Sequence, residues 1–127
     1  MDNSGADIVV SIHLNDFGQN QYYGAQVFYP PNSEQSNILA LNVQKALREG
    51  VDPSNKREAL VKNEPIVILR DLKTPTIIVE CGFLSNKKEE QNLRNENYQI
   101  KIAKAIKTGI DNYFSGKTDK GKENTTE

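Results

Sequence analysis

Glu80 and His13 are the residues of this 127-residue chain whose type and position could do chemistry. Glu80 follows the apolar run Ile77-Ile78-Val79 and so stands at the C-terminal end of a strand, where open α/β sheets gather their ligands. A carboxylate there is a candidate general base; the alternative is a strand-end acid paired with a lysine or accepting a backbone N–H. His13 is the only histidine. It ends a second apolar run, Ala6-Asp7-Ile8-Val9-Val10-Ser11-Ile12, with Ser11 two residues before it and Asn15 two after. A single strand-end histidine is more often a hydrogen-bonded structural residue. One imidazole and one carboxylate at two strand ends together suggest a metal-activated water with a carboxylate base. Cys81, directly after Glu80, reads as a buried packing thiol rather than a nucleophile.

The elements that must position these groups alternate between strand and helix. Residues 6–13 and 24–29 read as strands, the second stopped by Pro30-Pro31. Ser33 caps a helix predicted to run to about Glu49, with Leu39, Val43, Ala46 and Leu47 on one face and Gly50 as its stop. Residues 51–64 are polar, broken by Pro53, and read as an exposed crossing loop that includes Lys56 and Arg57. Residues 66–69 are a short apolar strand and 76–80 the next, with Pro75 ahead of the ladder, where a missing N–H does little harm. Gly82 is expected to turn the chain sharply. Asn86 and Glu89 have the spacing of a capping box for a short helix over residues 87–93. A last helix from about Tyr98 to Phe114 carries the stripe Tyr98, Ile102, Ala105, Ile106, Gly109 and Tyr113. The fold class is therefore α/β, a mixed or mostly parallel sheet flanked by helices. Residues 115–127 carry no apolar side chain able to offset the entropy of ordering them and read as a disordered polar tail after a domain ending at 114.

Composition narrows the partners. Sixteen basic against seventeen acidic residues leave no net field for nucleic acid or an anionic membrane. No apolar run approaches membrane-spanning length. A single cysteine excludes an internal disulfide framework and a cysteine-cluster zinc site. There is no internal repeat and no phosphate-cradling glycine motif.

Four blocks carry a family resemblance: Ser11-Ile12-His13-Leu14-Asn15; Gly24-Ala25-Gln26-Val27-Phe28-Tyr29; Val79-Glu80-Cys81-Gly82-Phe83-Leu84-Ser85-Asn86 after Pro75; and Tyr98-Gln99 leading to Ile110-Asp111-Asn112-Tyr113-Phe114. In order and spacing, from about residue 5 to 114, they resemble the zinc-dependent N-acetylmuramoyl-L-alanine amidases, which are bacterial peptidoglycan hydrolases. Cys81, Leu69-Arg70 and Tyr113-Phe114 look most like the spore-cortex, germination-specific subgroup. The resemblance implies His13 as a zinc ligand and Glu80 as the base that activates water and then protonates the leaving amine. It implies peptidoglycan as substrate and action outside the cytoplasmic membrane, in the cell wall or forespore envelope. Asn15, Arg57 and Arg70 are candidate substrate contacts, with a turn amide and two solvated or paired cations as the plainer alternatives.

The chain also departs from the family. Complete members carry a further zinc histidine and a zinc glutamate upstream of the histidine block. Here twelve residues precede His13, and their acidic members, Asp2 and Asp7, match no motif position. The chain is thus expected to be the C-terminal portion of the catalytic domain, with a sheet incomplete on its N-terminal side and an incomplete zinc site. Weak zinc binding and self-association through the open sheet should follow. The alternative function is a non-catalytic peptidoglycan-binding or regulatory remnant.

Overall fold

Ile77, Ile78 and Val79 are all buried, and the strand that carries them is interior to the sheet. The computed structural model describes residues 7–15, 23–62 and 74–116. In chain order these form β1 (Val9–Asn15), β2 (Gln26–Tyr29), α1 (Glu34–Gly50), β3 (Leu60–Val61), β4 (Thr76–Phe83), α2 (Lys87–Arg94) and α3 (Glu96–Ser115). The sheet order is β1-β4-β2-β3. β4 runs parallel to β1 and antiparallel to β2, and β2 runs parallel to β3. The sheet is therefore mixed, one of the two arrangements that the sequence reading allows.

Side chains alternate across β4. Ile77, Val79 and Cys81 join Val27 from β2, Leu39, Val43 and Leu47 from α1, and Ile102, Ala105 and Ile106 from α3 in the core, so that both long helices back one face of the sheet. Ile78 and Glu80 point to the other face. The helices approach closely at Gly109, where an added Cβ would lie 2.5 Å from the Val43 Cα. β3 reaches only Phe28 and Tyr29. Farther back along β2 the backbone is satisfied by buried amides instead: Val27 N–H donates to Gln44 Oε1 at 2.8 Å, and Gln44 Nε2 and Asn55 Nδ2 both donate to the Ala25 carbonyl.

Three asparagine or serine caps start the helices. The side chains of Ser33, Asn86 and Asn95 accept the N–H groups of Ser36, Glu89 and Tyr98. Several boundaries differ from the sequence reading for physical reasons. α3 starts at Glu96 because Asn95 caps it, ahead of the first apolar residue of the stripe. Gly50 is the last residue of α1 and not a left-handed stop; Val51 follows in right-handed geometry. The stretch read as an exposed loop contains β3 and the buried Asn55. The expected strand over 66–69, most of the expected tail and residues 16–22 lie outside the described residues.

Candidate active site

His13 and Glu80 are register partners on the parallel strands β1 and β4, and Gln26 on β2 is the register partner of Glu80 on its other side. Residues paired this way share a face, with strands about 5 Å apart. An imidazole, a carboxylate and a carboxamide thus form one row across the sheet, on the face away from α1 and α3. Glu80 is half-buried, and no hydrogen bond or ion pair joins its carboxylate to the described residues. Of the two roles open to it in the sequence, a lysine partner or an N–H capped by the acid, the described residues provide neither. His13 is exposed, and its Nε2 lies 2.8 Å from the Ser11 hydroxyl.

The strand end is shaped by an irregularity. His13 pairs with Glu80 but Asn15 pairs with Phe83, so β4 has one more residue than β1 between the two rungs. Such a bulge returns Phe83 to the face that Glu80 occupies. Gly82 sits inside it with no left-handed φ, so the sharp turn expected there is absent. What requires glycine is space: an added Cβ would meet Glu89 Oε1 at 2.8 Å. Glu89 does not close the expected capping box either. Its Oε1 accepts the Phe83 N–H at 2.8 Å and its Oε2 accepts the Gly24 N–H at 3.0 Å. This buried carboxylate ties α2 to the bulge and to the approach to β2, where Gly24 holds φ at 98°.

Arg57 is half-buried and held in place. Its Nε donates to the Tyr23 carbonyl at 2.8 Å, its Nη1 donates to Gln26 Oε1 at 3.2 Å, and the guanidinium lies 4.6 Å from the centre of the Phe83 ring. Gln26 in turn donates to the Glu58 carbonyl. Arg57 therefore stands beside the His13–Glu80 row, one strand over, as a cation stacked on an aromatic ring. Asn15 occupies the rung after His13; Arg70 lies outside the described residues. Cys81 points into the core on the opposite face, and burial, helped by the Glu80 charge, pushes its thiol up to about 11. It is neutral near pH 7 and unsuited to nucleophilic attack. Beyond the end of β4 a polar cleft of about 510 Å³ opens between Tyr23, Asp52, Asn86, Lys88 and Tyr98. There burial, and then the carboxylates of Glu89 and Asp52, raise the Tyr98 phenol above its ordinary value.

Zinc is the metal that the resemblance implies. His13 suits one ligand position, exposed and next to a carboxylate. A catalytic zinc takes three protein ligands, and among the described residues no group of three His, Cys, Asp or Glu side chains could hold a metal. The described residues therefore do not complete such a site.

Sequence reasoning named His13, Glu80 and Arg57 as candidates and the fold brings these three near one another; it gave Glu89 only a capping role and did not single out Gln26. Glu89 has the same spacing from Asn86 whichever way its side chain turns. Gln26 reads as an ordinary strand residue until the register is known.

A mixed sheet backed by helices on one face, with His13 and Glu80 side by side on the other, defines an α/β domain. The family follows from comparison: residues 1–112 match the N-acetylmuramoyl-L-alanine amidase pattern, and the chain belongs to that family. It is 31% identical over 119 residues to the germination-specific N-acetylmuramoyl-L-alanine amidase of Bacillus subtilis, a match covering 94% of this chain and 49% of that protein. Among solved structures it resembles the CwlD amidase of Clostridioides difficile, determined in complex with the GerS lipoprotein. There the TM-score is 0.87 and the identity 47%, over 91% of this chain and 58% of that one. An N-acetylmuramoyl-L-alanine amidase of Clostridium difficile 630 matches with a TM-score of 0.79 and 35% identity, over 91% of this chain and 61% of that one. The chain thus spans about half the length of the germination-specific relative it matches.

Proposed function

We propose that this chain carries the general base and one metal ligand of a peptidoglycan amidase. The bond cleaved is the amide between N-acetylmuramic acid and L-alanine, in spore cortex or cell-wall remodelling outside the cytoplasmic membrane. The observation that supports it is the register pairing of His13 with a Glu80 carboxylate that the described residues leave uncommitted. Zinc, where a full ligand set holds it, supplies Lewis acidity toward the lactyl carbonyl. Glu80 takes the proton of the attacking water and delivers it to the alanine nitrogen as the C–N bond breaks, so the products are the glycan carboxylate and a stem peptide with a free amine. His13 is the ligand this chain contributes. Arg57, stacked on Phe83 beside that row, is a cation suited to a substrate carboxylate or carbonyl. Asn15 and Arg70 belong to the same reading by sequence position.

A chimera tests it: this chain replaces the matching part of the CwlD amidase, and free amino groups released from purified peptidoglycan are counted. The chimera should release L-alanine amines, and Glu80→Gln in it should lower the rate at least about 100-fold. Undiminished release by Glu80→Gln would remove Glu80 from the chemistry. A second reading, a peptidoglycan-binding module without turnover, is favoured by the lack of a three-ligand group among the described residues. Sedimentation of the present chain with insoluble peptidoglycan, without amine release from the chimera, would favour that second reading.

A further inference from the structure

We propose that the polar cleft beyond the end of β4 is a saccharide-binding site that takes an N-acetylated amino sugar of a glycan strand. Its volume of about 510 Å³ lies in the range of small-molecule sites. Four segments meet there: the approach to β2 supplies Tyr23, the turn after α1 supplies Asp52, α2 supplies Lys88 and Asn92, and the first turn of α3 supplies Tyr98. Lys88 and Asn92 stand one helical turn apart and so share a face of α2. The walls are fixed by bonds of their own. The Tyr23 hydroxyl donates to the Ser54 carbonyl at 3.4 Å, Asp52 Oδ1 accepts the Ser54 N–H and hydroxyl at 3.0 and 2.7 Å, and Glu89 holds the Gly24 and Phe83 N–H groups.

Inside those walls three polar groups are uncommitted. The Tyr98 hydroxyl, the Asn92 carboxamide and the Lys88 ammonium make no hydrogen bond or ion pair with the described residues. Tyr98 is half-buried, and burial followed by the charges of Glu89 and Asp52 keeps its phenol protonated, so it is a donor. An apolar ligand would strand these groups without partners. An anion would meet two carboxylates and one lysine, and among the described residues no three side chains could hold a metal ion. A neutral ring carrying hydroxyl and acetamido groups uses the whole set. Its hydroxyls can donate to Asp52 and accept from Tyr98 and Lys88, its acetamido group can pair with the Asn92 carboxamide, and the Tyr23 ring, 41% exposed, offers an apolar surface to the sugar C–H groups. Tyr23 also lends its carbonyl to Arg57, which stacks on Phe83, so the cleft and the Glu80 row border the same bulge. That continuity suits a ligand built of linked sugars. The saccharide follows from the cleft itself; that the strand is peptidoglycan rests on the function proposed above.

The test is proton–nitrogen NMR of the intact chain labelled with 15N, titrated with the linked dimer of N-acetylglucosamine, a glycan without stem peptide or lactyl amide. Saturable shifts should appear at the amides of Tyr23, Asn92 and Tyr98 and be larger than any at His13 or Glu80. Tyr98→Phe keeps the ring and removes the hydroxyl; Asn92→Ala removes the carboxamide from a helix surface. Each should weaken binding at least about 3-fold while the thermal midpoint shows the chain still folded. No saturable shift up to about 10 mM sugar, shifts confined to His13 and Glu80, or wild-type affinity in both variants would each overturn the proposal. Sugar binding by a chain whose chimera is inactive would count against the amidase reading and leave the cleft assigned. An active chimera without sugar binding would strike the cleft alone.

Discussion

Two glutamates nine residues apart are put to opposite uses, and their surroundings decide which. Glu89 is buried and accepts two backbone N–H groups, whereas Glu80 accepts none from the described residues. Hydrogen bonds to a charged acceptor contribute more than neutral ones, and a buried N–H left facing a donor is costly. Glu89→Gln should therefore lower stability by about 1–3 kcal/mol, read as a fall in the urea midpoint. Glu80→Gln should leave that midpoint unchanged or raise it. Cys81 permits a pH prediction. Its thiol ionises at about 11 when folded and at the ordinary value of 9.0 when exposed. The native chain therefore holds its proton longer than the unfolded one, and stability present at neutral pH should fall between those two values. Alkylation by iodoacetamide at pH 8 should be slow in the folded chain and fast in urea. At this scale the sequence revealed chemistry but not commitment. The apolar runs before them picked out His13 and Glu80, although both strands continue beyond them, to Asn15 and Phe83. The partners of Glu89 come from Gly24 and Phe83, which only the folded chain brings to it.

Elements that announce themselves locally were the readable ones. Ser33 and Asn86 read as caps and both caps are made, whereas Asn95 went unread and starts α3 ahead of its apolar stripe. β3 was unreadable because two exposed residues, Leu60 and Val61, pair through backbone alone and leave no pattern in the side chains. The bulge in β4 was equally hidden, since it is a property of two strands compared and not of either one. Gly109 separates local preference from packing. Alanine is favoured over glycine in a helix by about 1 kcal/mol, yet an added Cβ here would stand 2.5 Å from the Val43 backbone. Gly109→Ala should destabilise by about 1–3 kcal/mol, because α1 and α3 would have to separate. A gain in thermal midpoint would show that the crossing is looser than it looks.

On the scale of the molecule, β1 has a strand partner on one side only among the described residues. On the face that α1 and α3 back, Ile12 is 61% and Leu14 53% exposed, with no lysine or proline anywhere in the strand. Edges like this pair with other chains unless blocked. The expected outcome is concentration-dependent association in sedimentation velocity, relieved by Ile12→Lys with Leu14→Lys. Monomeric behaviour of the wild-type chain at high concentration would count against an available edge. The α/β class was legible from alternation alone, which left the sheet open between mixed and mostly parallel; strand order was not legible, because nothing in a linear sequence states that β4 lies between β1 and β2. That order has an evolutionary corollary. His13 and Glu80 meet because two separate strands keep the same phase, so a one-residue insertion ahead of either, within its strand, would swing one group to the far side of the sheet. Loops between them are free to lengthen over generations, while these two short strands tolerate substitution far better than any change in count.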